Sequence, residues 1–325
     1  MQGKEASEQE TRQCTAGIDV SKDWLDAHVL PKGASLRVAN TSEGIRQIKR
    51  WLLRSEVELV TIEATGKWHR AVFRSLSASN VAVAVIDPFR VRMFAKAQGI
   101  AAKTDRLDAK VLAMYAAMMS PVCRPPAPEL LEALQELVTA RASAVDEKTA
   151  LKNQLAAVTQ SFLKTQLRKR IRQLEAHEEA LEKECLKRIK SEEGLKRRLN
   201  ILTSIPGIGD VVAMTLIACL SELGSLSDKQ AAALAGLAPV ADDSGRRQGL
   251  RVIWGGRSAV RRALYLAALS AKTWNKDMKA FFQRLVGKGK VKKAAVVAVA
   301  RKMVVLANLL IAENRPWQKI APKCA

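Results

Sequence analysis

The amino-acid sequence predicts an α/β domain, then a long helical arm, then a mainly α region. Three observations carry this expectation. Strand and helix patterns alternate from Thr15 to about Val122. Strand signals and almost all Gly and Pro disappear between Pro128 and about Asn200. From Leu199 onward, apolar helical segments are broken by glycine-rich turns. The expected divisions are a polar extension over 1–14, the α/β domain over 15–127, the arm over 128–200 and a basic helical region over 201–325. A chain of 325 residues is long enough to bury two cores.

Within the α/β part, Cys14 to Val20 reads as a first strand, and Trp24 to Leu30 and Ser35 to Ala39 as two more, joined by the turn Pro31-Lys32-Gly33. A helix over Ser42 to Arg54 follows the capping candidates Asn40 and Thr41. Strand Glu58 to Glu63, helix Trp68 to Ser77, strand Val81 to Ile86 and helical segments from Phe89 complete it. The order βββαβαβα, with an antiparallel meander opening an otherwise α/β domain, is that of the RNase H-like fold, which is therefore expected.

In the arm, Leu167, Ile171, Leu174, Leu181, Cys185 and Ile189 recur mostly at steps of three, four or seven between dense Glu, Lys and Arg, the pattern of long coiled-coil helices. The alternative is a solvated helical spacer.

Composition narrows the function. Lys plus Arg outnumber Asp plus Glu by 54 to 32, a net charge of +22 that calls for a polyanionic partner, usually nucleic acid. The excess is concentrated: between Ser244 and Lys302 stand sixteen Lys or Arg against one acid, Asp277, a net of +15. The five cysteines form no C-x-x-C pair and no His stands at ligand spacing, so a reduced protein without structural zinc is expected. The start, MQGKEASEQETRQ, lacks the apolar core of a signal peptide, and the run Ala294 to Ala300 is too short for a bilayer, so no membrane partner is expected.

Four acids form a candidate metal site. Asp19 interrupts the apolar strand Ala16-Gly17-Ile18-Asp19-Val20, and Glu63 ends another after Leu59-Val60-Thr61-Ile62; a charge in either frame is costly unless it binds something. Asp105 and Asp108 lie three apart at a helix start and share a side. Four hard oxygen donors suit Mg²⁺ or Mn²⁺, the ions of phosphodiester chemistry. Each acid also has a plainer explanation, as helix cap or paired strand end; the set in this order favours metal. Asp87, before Pro88, reads as a turn residue.

Two motifs mark the basic region. In Ser204-Ile205-Pro206-Gly207-Ile208-Gly209-Asp210, Gly207 and Gly209 precede an apolar helix, where backbone N–H groups can approach a phosphate; a tight turn between packed helices is the alternative. In Asp242-Asp243-Ser244-Gly245-Arg246-Arg247, a serine on a glycine-flanked loop among arginines is a candidate nucleophile, with turn formation as the plainer reading. Arg246, Arg251, Arg257 and Arg261 are candidates for phosphate contact or for a solvated basic face.

Together these residues resemble the DEDD-type transposases of bacterial insertion sequences, which include Piv-type invertases and bridge-RNA-guided recombinases. The carriers are Gly17-Ile18-Asp19-Val20-Ser21-Lys22, Ile62-Glu63-Ala64-Thr65-Gly66, Lys103-Thr104-Asp105 with Asp108-Ala109, Ile205-Pro206-Gly207-Ile208-Gly209, Ala235-Gly236-Leu237-Ala238-Pro239, Asp243-Ser244-Gly245, and Gly255-Gly256-Arg257 with Arg261-Arg262-Ala263-Leu264-Tyr265. The resemblance implies a RuvC-like domain with Asp19, Glu63, Asp105 and Asp108 as its acidic tetrad, a coiled-coil dimerisation arm, and a transposase domain in which Ser244 attacks DNA. It further implies donor and target DNA and an element-derived noncoding bridge RNA as partners. Dimers assembling into a tetramer in the bacterial cytoplasm, at the nucleoid, complete the expectation.

Two other readings compete. A nuclease similar to Holliday-junction resolvases would cut with water and leave Ser244 a bystander, and a non-catalytic nucleic-acid scaffold would show no metal dependence. A tyrosine recombinase fits poorly: that chemistry needs an Arg-His-Arg set around a tyrosine, and the two tyrosines, Tyr115 and Tyr265, are each better explained as helix packing.

Overall fold

The computed structural model describes residues 14–100, 105–241, 243, 249 and 251–318, with backbone only at 105 and 106. It divides into two compact units, Met1–Ala127 and Pro128–Ala325.

The first unit holds a five-stranded sheet of β1 (Thr15–Val20), β2 (Trp24–Leu30), β3 (Ala34–Ala39), β4 (Leu59–Glu63) and β5 (Ala82–Ile86), in the order β3-β2-β1-β4-β5. The β1–β2 and β2–β3 pairs are antiparallel; β1–β4 and β4–β5 are parallel. The helices are α1 (Ser42–Arg54), α2 (Arg70–Ser77), α3 (Pro88–Ala97) and α4 (Asp105–Met119). The expected meander and crossovers are therefore present. The second helix starts two residues later than expected, because residues 66–69 form a turn in which the Thr65 N–H donates to His69 Nδ1 at 3.1 Å.

Alternation along the strands sorts residues onto two faces. Ala16, Ile18, Val20, Leu25, Ala27, Val29, Val60, Ile62 and Val83 join Ile45, Ile48 and Leu52 of α1 and Val72 and Leu76 of α2 in one apolar core. The opposite face carries Thr15, Gly17 and Asp19 of β1, Asp26 and His28 of β2, and Thr61 and Glu63 of β4; α4 packs across these three strands. The result is a three-layer α/β/α sandwich whose second sheet face is largely polar over β1, β2 and β4 and apolar at β5, where Ala84 and Ile86 cluster with Val111, Leu112 and Tyr115 of α4. Of the two capping candidates, Thr41 caps α1 through the Gly44 N–H (3.2 Å), while the Asn40 amide donates to Ser21 O (2.8 Å). Asp87 caps α3 by accepting from the Phe89 N–H at 2.9 Å, as a turn residue before proline should.

The second unit begins with α5 (Glu129–Ala157) and α6 (Ser161–Lys190), packed against each other as a helical hairpin. At 1.5 Å per residue, each helix runs for roughly 45 Å. Leu167 and Ile171 are buried with Leu151 of α5, and Leu155, Val158 and Leu174 pack around them. Ion pairs rivet the two helices: Arg141 meets Glu178 (2.5 Å) and Glu182 (2.6 Å), Lys148 meets Glu178, and Arg170 meets Glu147 (2.7 Å). Toward the other end, Leu134 and Val138 of α5 and Cys185 and Ile189 of α6 enter the main helical core.

That core is built by α7 (Glu193–Thr203), α8 (Asp210–Cys219), α9 (Asp228–Leu234), α10 (Ser258–Trp274), α11 (Lys276–Gly287) and α12 (Lys292–Ala312), with a small antiparallel pair, β6 (Pro239–Val240) and β7 (Val252–Ile253). The sequence boundary drawn at 200 falls inside α7. By length and hydropathy α12 would suffice to cross a membrane, well beyond the run Ala294 to Ala300. It is instead a core helix: Val296, Val299, Ala300, Met303, Val304, Ala307 and Leu310 are buried against neighbouring helices. Its Asn308 side chain accepts from the Gly224 N–H (2.8 Å) and donates to Leu226 O (2.7 Å). Tyr115 packs edge-on against Phe94, and Tyr265 packs against the helical core, so both tyrosines serve packing.

Burial separates the cysteines chemically. Cys185 is 1% exposed and desolvation pushes its thiol up to about 11, whereas Cys123, whose thiol partial desolvation also raises, is exposed to reagent. The thiolate is the reactive form, so at pH 8 iodoacetamide is expected to label Cys123 readily and Cys185 only after unfolding. Prompt labelling of Cys185, read by peptide mass, would show that the α5–α6 root opens in the native state.

Candidate functional site

The polar sheet face is where the predicted acids gather. Asp19 and Glu63 are next in register after the pair Ile18–Ile62 of two adjacent parallel strands, so their side chains leave the same face. Both are half-buried. Asp105 is the first residue of α4 and Asp108, half-buried, lies one turn on; the Asp105 side chain lies outside those described.

What brings α4 to this edge is the small size of Gly17. A Cβ there would lie 2.2 Å from the Ala109 carbonyl oxygen and 2.4 Å from the Ala113 nitrogen, so the helix backbone rests directly on β1, with Asp108 adjoining the contact. Two buried threonines lock the approach: Thr15 Oγ1 donates to Ala113 O (3.1 Å) and Thr61 Oγ1 to Leu112 O (2.7 Å). Each lies on the same strand face as an acid, two or four residues before it. Gly17→Ala is expected to push α4 off the sheet, costing about 3 kcal/mol, the upper range of overpacking. Thermal unfolding checks this; an unchanged melting temperature would mean that α4 is not seated by this contact.

Sequence reasoning missed Asp26. It stands directly opposite Asp19 in the antiparallel register, is 8% exposed, and pairs with Arg37 at 3.4 Å. The available signal was the alternation Leu25-Asp26-Ala27-His28, which puts a second acid on a half-buried strand. A cluster of carboxylate oxygens is the donor chemistry of Mg²⁺ or Mn²⁺ rather than of ions that seek thiolate. Among the described residues, no group of three His, Cys, Asp or Glu is placed to hold a metal ion.

The second predicted site lies in the helical unit. Strands β6 and β7 pair Pro239 with Ile253 and Val240 with Val252, and the chain connecting them carries Ser244 and Arg246, both outside the described residues. The base of this hairpin is held by glycines. A Cβ on Gly256 would lie 2.3 Å from the Gly236 nitrogen, and one on Gly236 would lie 2.4 Å from Gly255 O, so the two glycine motifs meet backbone to backbone. Nearby, Asp243 accepts from the Gly249 N–H (3.1 Å) and pairs with Arg251 (2.8 Å).

The arginines near this hairpin have internal partners. Arg257 donates to both Glu222 oxygens (2.7 and 2.6 Å) and to Cys219 O (2.9 Å), and those hydrogen bonds hold its guanidinium charged even more firmly than usual. Arg261 donates to Gly255 O (2.6 Å), and Arg262 pairs with Asp146 of α5 (2.7 Å). Of the two glycines before α8, Gly207 has a positive φ and lies against Ala271 of α10, while Gly209 is exposed with open space around it. Gly209 is the more accessible of the pair, Gly207 being half-buried.

An acid-bearing α/β unit followed by a strongly basic helical unit is the make-up of a DNA-processing enzyme, and comparison with known proteins agrees. Residues 16–164 match the DEDD transposase domain of the IS110 type, and residues 199–283 match the transposase IS116/IS110/IS902 family. The chain is similar to the pilin gene-inverting proteins of Moraxella bovis and Moraxella lacunata, in each case 26% identical over 314 residues, or 93% of this chain and 97% of the relative. It is therefore an enzyme of the DNA recombinase and transposase class. The chain belongs to the IS110 family of transposases.

Proposed function

We propose that this enzyme cuts and rejoins the DNA of a bacterial insertion sequence through a Ser244 phosphoserine intermediate, aided by a divalent metal held by Asp19, Glu63, Asp105 and Asp108. The observation that carries the reading is the emergence of Asp19 and Glu63 in register on one sheet face, beneath a helix that begins with Asp105 and Asp108. The strand order, three antiparallel strands followed by two parallel ones, supports an RNase H-like, RuvC-like unit.

Bound Mg²⁺ or Mn²⁺ would supply charge stabilisation at the scissile phosphate. The chain's own residues do the rest. The four carboxylates position the ion, with Gly17, Thr15 and Thr61 seating the helix that contributes two of them. In the basic unit, Ser244 Oγ forms a bond to phosphorus as one deoxyribose P–O bond breaks. The proton lost from the hydroxyl is matched by the one that the leaving oxygen gains. The phosphoserine linkage conserves the bond energy for rejoining, whereas hydrolysis would discard it. Arg246 is proposed to hold phosphate near this loop, together with Arg251 when phosphate displaces its exposed pairing with Asp243. Arg257 and Arg261, tied to Glu222 and Gly255, instead brace the hairpin base.

The relatives named for inverting a pilin gene support site-specific rearrangement of DNA. Guidance by an element-derived bridge RNA, and assembly of dimers into a tetramer, belong to the same reading. The apolar seam at Leu167 and Ile171 is spent within one chain, so contact between subunits would use other parts of the arm, such as the exposed Phe162 and Leu163 at the start of α6. The deciding experiment is to incubate the protein with element-end DNA and Mg²⁺ and resolve the products under denaturing conditions. A covalent protein–DNA adduct is expected; cleaved ends without adduct would favour a resolvase-like nuclease using water.

A further inference from the structure

A cleft between α11 and α12 gathers cations of a different kind from those of the serine hairpin. Its floor is apolar, formed by Phe281, Leu285, Ala298 and Val305, and its rim carries Lys290, Arg301 and Lys302; its volume is about 400 Å³. Around the hairpin, Arg251, Arg257 and Arg262 each pair with a carboxylate. Among the described residues no acid lines this cleft beside the three rim cations, and the only acid in the sequence between Ser244 and Lys302 is Asp277. Among the described residues, the positive charge of this cleft is not balanced within its own lining.

Phe281 is the second element. Its ring has Lys302 Nζ 5.0 Å from the centroid and Arg284 Cζ 5.4 Å away. An aromatic face attracts a cation through its quadrupole but carries no net charge, so a base that stacks on the ring displaces the flexible Lys302 head from it and leaves that cation to the adjoining phosphate. An apolar, aromatic-floored cleft with cations at its mouth is the combination that holds single-stranded nucleic acid: a base enters against the ring, and the adjoining phosphates meet the cations. A duplex, with its bases stacked inside, offers only the phosphates.

We infer that the α11–α12 cleft binds an unstacked base of single-stranded nucleic acid against Phe281, with the flanking phosphates on Lys290, Arg301 and Lys302. The inference rests on the nucleic-acid reading above and adds to it a site separate from the serine hairpin. Single-stranded RNA and a displaced DNA strand present the same base and phosphate chemistry, so the test includes both.

The experiment measures binding of labelled single-stranded RNA, single-stranded DNA and the matching blunt duplex by fluorescence anisotropy, across a salt series. Phe281→Leu, which keeps the floor apolar, is expected to weaken single-strand binding about 5- to 150-fold, the scale of one base–aromatic stack, with duplex affinity unchanged. Weakening on RNA alone would assign the site to RNA; weakening on both would assign it to either strand. The exposed Lys302 changed with Arg301 to Gln provides a second arm that spares the floor, and should lower the single-strand salt slope by roughly 0.7 for each phosphate that is no longer neutralised. Wild-type single-strand binding in both variants, or an equal weakening on duplex, would overturn the site. A wild-type protein that binds none of the three nucleic acids would instead overturn the functional reading on which it rests.

Discussion

Ser244→Ala is expected to abolish recombination, by at least about 10³-fold, while DNA affinity stays within about twofold of wild type. The effect is large because the hydroxyl is the atom that would bond to phosphorus; the methyl group offers no substitute. Binding is expected to survive because the contacts described at the hairpin base are made by other residues. The base is set by the Gly236–Gly256 contact and the two-residue ladder of β6 and β7, and Asp243 is tied to Gly249 and Arg251. The measurement is paired: adduct formation on a denaturing gel, and DNA affinity by anisotropy. Recombinant product from Ser244→Ala would end the nucleophile assignment, whatever its effect on binding.

Asp19→Asn is expected to reduce strand cleavage on the order of 10²–10³-fold, the scale of removing one group that supports transition-state charge. The amide keeps the shape of the carboxylate but not its negative charge, and it coordinates a hard cation more weakly. Asp19 faces Asp26 across one strand and neighbours Glu63 across the other, so the substitution also removes one negative charge from a crowded face. That separates a metal role from a purely structural one. Wild-type protein should gain melting temperature on adding Mn²⁺, because a ligand that binds only the folded state stabilises it, and the variant should lose that gain while keeping its fold. Equal Mn²⁺ stabilisation in both proteins, with cleavage retained, would remove Asp19 from the site.

Much of this arrangement is legible in the amino-acid sequence. The meander and the two parallel crossovers follow from period-two alternation and turn residues, and Asp19 and Glu63 stand out because a carboxylate in an apolar strand needs a reason. Asp26 does not stand out. Its importance depends on the register between β1 and β2, and the same spelling with another partner would place it beside something else. The arm shows the same limit: the spacing of Leu167, Ile171 and Leu174 announces an apolar seam, but a seam can be met by another chain or by its own. Here α5 meets it, with Arg141, Lys148 and Arg170 paired across to acids. Likewise, the apolar composition of α12 is equally suited to a bilayer or to a helical core, and its neighbours decide for the core.

The sequence by itself determined the strands and helices of the α/β part, the helical character of most of the rest and where the positive charge is concentrated, and it singled out Asp19, Glu63, Asp105, Asp108 and Ser244 as candidates for chemistry. These follow from local periodicity and from residue chemistry, which neighbours along the chain are enough to express. Only the tertiary structure decided that Gly17 exists to seat α4, that Arg257 is already engaged by Glu222, and that Phe281, Arg301 and Lys302 share a cleft without a carboxylate. Each of those depends on what stands across from a residue rather than beside it, and the pairing of distant segments is settled by packing of the whole unit.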